Sequence, residues 1–64
     1  MKIKTNAIET RTASAAKTYK EIANAAGITE RTLKQARDGA EIRPATAGRI
    51  AAALGVSIEN IIER

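Results

Sequence analysis

Residues 26–39 read AGITERTLKQARDG, and four side chains in this stretch carry polar chemistry at close spacing: Glu30, Arg31, Lys34 and Gln35. A guanidinium offers paired N–H donors, a carboxamide one acceptor beside its donors, an ammonium a compact charge, and a carboxylate acceptors only. On a helix, positions 31, 34 and 35 share a face. Such an array matches the edges of nucleic-acid bases. Arg31 suits guanine O6 and N7, Gln35 suits adenine N6 and N7, and Lys34 suits a guanine or a phosphate. Glu30 has two readings: it favours the positive end of a helix, or it accepts from cytosine N4.

Catalysis is a poor fit. The chain has no His and no Cys, so the usual general base, the thiolate nucleophile and the commonest metal ligands are all missing. The carboxylates are scattered among basic residues, and no glycine-rich phosphate loop is present. Neither an enzyme, a metal site, a cofactor nor a small-molecule ligand is expected. With no apolar run of about 18 residues and no apolar leader core, a soluble cytoplasmic protein is expected, without a membrane partner.

The charge is unevenly placed. The net charge is +4, and residues 1–43 carry nine Lys and Arg against five Asp and Glu, whereas residues 44–64 carry two of each sign. The whole basic excess therefore lies in the part of the chain that holds residues 26–39. That asymmetry suits a polyanionic partner, and a merely solvated basic face would give the same count.

The elements that must position these side chains are short helices. A chain of 64 residues makes one domain, with fourteen alanines that let helices approach closely and no alternating apolar stretch that would build a sheet. The opening MKIKTN reads as a flexible arm over residues 1–5 or as a brief edge strand. Asn6 and Glu9 have capping-box spacing ahead of a first helix running from Ala7 to about Ala16. Thr18 and Glu21 form a second capping box, after which Tyr19, Ile22, Ala23 and Ala26 recur at helical spacing up to Gly27. Thr29 caps a third helix over residues 30–37, closed by Gly39. Pro44 opens a fourth helix lined by Ala47, Ile50, Ala51 and Leu54 and closed by Gly55. Ser57 caps a fifth, carrying Ile58, Ile61 and Ile62. The predicted fold is all-α, with five short helices.

Residues 19–38 can be read as one helix-turn-helix unit. Its first helix needs a small residue where the second crosses it, and Ala23 is there. Its corner needs a residue that tolerates positive φ, and Gly27 follows four residues later. Ile22, Ala26, Ile28, Leu33 and Ala36 occupy the packing positions, which leaves Glu30, Arg31, Lys34 and Gln35 outward. Around them, Lys17, Thr18 and Lys20 would meet phosphates at the start of the second helix. Thr29 would cap and also reach a phosphate, while Arg37 and Arg43, with Lys2 or Lys4, would add backbone charge.

At this point TYKEIANAAGITERTLKQARDG followed by RPATAGRIAAALGVSIENII resembles the phage repressor and Cro-type helix-turn-helix domains, over roughly residues 18–62. The resemblance implies a lambda repressor-like fold, bacterial or phage origin, and sequence-specific binding of double-stranded DNA. The third helix would read the major groove, with backbone contacts from the loop that holds Arg43. It also implies a homodimer on a pseudo-palindromic operator with half-sites about 34 Å apart, for which Ile58, Ile61 and Ile62 are the candidate interface. Two departures stand out. Tyr19 takes the place where many members have Gln, so its hydroxyl donates to a phosphate or its ring covers the core. The first helix lacks the usual leucine pair. The same scaffold also serves as a protein-interaction module, antitoxin-like or bridging, and as a recombination accessory.

Overall fold

The computed structural model describes residues 1–63. They form four α-helices, α1 (Ala7–Ser14), α2 (Tyr19–Ala26), α3 (Glu30–Arg37) and α4 (Pro44–Leu54), followed by a single 3-10 turn at Ile58–Asn60. The described chain is all-α. Its sole strand-like feature is an isolated antiparallel bridge between Ile3 and Ile62.

The core collects residues from every helix and from both ends of the chain. Ile3, Ile8, Ile22, Ala23, Leu33, Ala36, Ala47, Ile50, Ala51 and Ile61 are all buried in one cluster. α2 packs mainly on α4 and α3, and the small side chains of Ala23, Ala47 and Ala51 let the backbones come close. On α1, Thr12 lies one turn after Ile8 on the same face and is buried with it. Its β-branched body fills the place of an aliphatic residue. The Thr12 hydroxyl has no hydrogen-bond partner among the described residues.

All four helices end with the same pair of backbone bonds, in which one amide turns back to the carbonyl three residues before it and the next amide to the carbonyl five residues before it. For α2 these are Gly27 N–H to Asn24 O at 3.2 Å and Ile28 N–H to Ala23 O at 3.0 Å. The Gly39 and Ala40 amides close α3 in the same way, and the Gly55 and Val56 amides close α4. The motif needs a left-handed residue, and glycine supplies it at Gly27, Gly39 and Gly55 with φ of 72°, 91° and 71°. In α1 the bonds run from Ala16 to Ala13 and from Lys17 to Thr12, so an alanine holds the turn at φ 55°. A Cβ is strained in that region by about 1–2 kcal/mol. Ala16→Gly is therefore expected to raise stability by about 1 kcal/mol after the extra chain entropy of glycine is subtracted. Urea unfolding would show this as a higher midpoint with an unchanged slope; a lower midpoint would contradict it.

Three expectations are corrected at the ends of the chain. The first helix stops at Ser14, and its Asn6–Glu9 box is not formed. Asn6 sits at φ 66° with no side-chain cap bond, and the Glu9 carboxylate faces Arg37 instead. The expected fifth helix is only the 3-10 turn, without a Ser57 side-chain cap, because the chain must extend at once for Ile62 to meet Ile3. Nor do residues 1–4 stand off as a free arm. Ile3 is buried, Lys4 N–H donates to Ile61 O at 2.7 Å, Glu63 N–H donates to Lys2 O at 2.8 Å, and Ile42 N–H donates to Met1 O at 2.8 Å. The edge-strand alternative describes this segment better. No described helix is long and apolar enough to cross a membrane.

Candidate nucleic-acid interface

The α2–turn–α3 segment is fixed by local chemistry at each joint. Thr18 Oγ1 accepts from Glu21 N–H at 3.2 Å, and Glu21 Oε1 accepts from Thr18 N–H at 3.1 Å, so the capping box is complete. Gly27 makes the corner. Thr29 Oγ1 then accepts from Thr32 N–H at 3.1 Å and caps α3. Inside the corner Ile22, Ala23 and Ala26 are buried from α2, Leu33 and Ala36 from α3, and Ile28 packs half-buried against the same cluster.

Burying Leu33 and Ala36 turns the opposite face of α3 outward. Arg31, Lys34 and Gln35 are all exposed there, as the helical spacing required. Glu30 is half-exposed at the start of the helix, and its carboxylate lies 3.9 Å from Lys34 Nζ one turn on. A surface pair of this kind is worth a few tenths of a kcal/mol and is easily exchanged for another partner. Glu30 thus has an intramolecular role, as a counter-charge for Lys34, that neither reading of the sequence foresaw.

The surrounding candidates divide into two groups. Lys17, Lys20 and Arg43 are exposed, and among the described residues no ion pair engages them. Arg37 and Tyr19 are committed elsewhere. The Arg37 guanidinium lies over the half-buried Tyr19 ring, 5.5 Å from its centroid. Arg37 Nε donates to Asp38 Oδ1 at 3.0 Å and stands 3.9 Å from Glu9 Oε1. The Asp38 hydrogen bond first, and the Tyr19 hydroxyl after it, raise the Arg37 pKa above its ordinary value. Arg37 is therefore a charged bracket joining α1, α2 and α3 rather than a free cation. The Thr18 hydroxyl and amide, and the Thr29 hydroxyl, are likewise occupied by their caps.

Arg49 of α4 was missed by the reading of the sequence. It is exposed, and its Nη1 lies 3.8 Å from where a Cβ on Gly27 would stand. A cation thus sits beside the corner between α2 and α3. Its spacing from Ala47 and Ile50 marks it as outward-facing, but only the packing of α4 on α2 brings it to Gly27.

Of the three isoleucines expected at an interface, Ile61 is wholly buried in the core and is unavailable to a partner. Ile58 and Ile62 are half-buried and pack against the core with their remaining surface outward.

No family model, curated protein or solved structure matches the chain.

Proposed function

We propose that this protein binds double-stranded DNA in a sequence-specific manner and regulates transcription, with α2 and α3 acting as a helix-turn-helix and α3 entering the major groove. The observation that carries the reading is the outer face of α3. Arg31, Lys34 and Gln35 are exposed together on a helix whose other face is locked by buried Leu33 and Ala36. Arg31 and Gln35 each have the donor geometry for one base edge, and Lys34 reaches a guanine or a phosphate. Lys17, Lys20 and Arg43 would hold the phosphates on either side and set the register, and Arg49 adds charge beside the corner. The resemblance to repressor and Cro-type domains supports the same reading. A second copy would be engaged through the exposed parts of Ile58 and Ile62, giving a dimer on a two-fold site.

Binding to random-sequence duplex at several salt concentrations tests the class. Affinity is expected to fall linearly in log–log form, with a slope of about −0.9 for each phosphate neutralised. No binding at low salt, or binding indifferent to salt, would overturn it in favour of a protein-interaction module built on the same scaffold.

A further inference from the structure

A recess of about 240 Å³ opens beside the start of α1, lined by Lys4, Thr5, Asn6, Ala7, Thr10, Arg11 and Asn60. Its walls come from distant parts of the sequence, and backbone bonds hold them. Lys4 N–H is fixed to Ile61 O at 2.7 Å, Ala7 N–H to Lys4 O at 3.1 Å, and Asn60 N–H to Ser57 O at 2.9 Å. The recess is therefore part of the folded domain and not a gap along one flexible loop.

Its chemistry is one-sided. Two of the lining side chains are cationic, four carry neutral hydroxyl or carboxamide groups, and none is a carboxylate. Among the described residues neither Lys4 nor Arg11 is in an ion pair, although Glu9 is close by in sequence, because Glu9 turns to Arg37. Asn6 gives α1 no side-chain cap, and the Ala7 and Thr10 amides are already held by Lys4 O and Asn6 O, so the side chains are what the recess offers a ligand. Two uncompensated cations, several neutral donors and a rigid frame make a site for an oxyanion. Among biological oxyanions, phosphate best uses a planar guanidinium fork together with an ammonium.

We propose that this recess binds a phosphate group through Lys4 and Arg11, with Thr5, Thr10 and Asn60 donating to its oxygens. The phosphate comes either from a nucleic-acid backbone or from a free phosphorylated metabolite. The site stands apart from the reading of α3 and does not depend on it.

Amide NMR on the whole chain tests the proposal with two probes, inorganic phosphate and a short random-sequence duplex, each against sodium chloride at matched ionic strength. Saturable shifts are expected at the amides of residues 5–8, 10 and 60. The double variant Lys4→Gln/Arg11→Gln, checked for an unchanged melting midpoint, should weaken the response at least about tenfold, a change of 1.4 kcal/mol. Shifts with phosphate identify a free-ligand site. Shifts with duplex alone identify a backbone contact, and there the variant should also flatten the salt slope by roughly 2. If neither probe moves these amides beyond the chloride control, or if the variant responds like the native chain, the proposal is wrong. Arg31→Ala keeps the two readings separable, since it should leave the phosphate-induced shifts intact whatever it does to duplex binding.

Discussion

Ile61→Ala is expected to destabilise the domain by about 2–5 kcal/mol, the usual cost of emptying a fully buried isoleucine site. A chain of 64 residues has a total stability of roughly 3–10 kcal/mol, so the loss would be a large fraction of the whole and would lower the unfolding midpoint markedly. The expectation rests on three features of the residue. Ile61 is fully buried, it closes the same core as Ile3 and Ile8, and its carbonyl accepts the Lys4 amide at 2.7 Å. Loss of its side chain would leave a cavity at the point where both ends of the chain meet. Denaturant unfolding at two protein concentrations a hundredfold apart is the discriminating measurement. A buried residue gives a loss independent of concentration. A loss that vanishes in dilute protein would return Ile61 to the dimer interface.

Arg31→Ala carries the other large effect, on binding and not on folding. Arg31 is exposed on α3 and is in no ion pair among the described residues, so its removal should change stability by less than about 0.5 kcal/mol. On the preferred duplex, once one is selected from a random pool, affinity is expected to drop by about 1–3 kcal/mol, with relaxed preference at one base pair. Lys20→Ala serves as the contrast. It should weaken selected and random duplex alike and lower the salt slope by about 1. Equal losses on selected and random duplex for Arg31→Ala would mean that α3 does not read bases.

What was legible in the sequence is what short-range chemistry decides. The Thr18–Glu21 box, the Thr29 cap, Pro44 at the head of α4 and the left-handed glycines at 27, 39 and 55 each depend on residues within one turn, and each is present. The inward set of the α2–α3 corner was legible for the same reason, since helical periodicity alone separates Leu33 and Ala36 from Arg31 and Gln35. Features set by distant partners were not legible. Asn6 has the right type and spacing for a cap, yet its backbone is turned by a segment anchored on Ile61. Glu9 was available for that box until folding brought Arg37 near. Arg37 reads as a free cation until Tyr19, Glu9 and Asp38 are seen around it. Arg49 reads as one more solvated arginine until α4 is laid along α2. Ser57 and the isoleucines after it carry a helical pattern that loses to the pairing of Ile62 with Ile3.

That pairing also has a consequence in time. Ile3 and Ile62 are paired across nearly the whole described chain, so the bridge forms only after residues 61–63 have been made and have reached Ile3. During directional synthesis Ile3 therefore waits for this pairing while all four helices are assembled. Closing so wide a loop costs little more than closing a short one, because the entropy grows only with the logarithm of length. The cost lies in order of events. The clasp between Ile3 and Ile62 is a late contact, possible only once every described helix has been made.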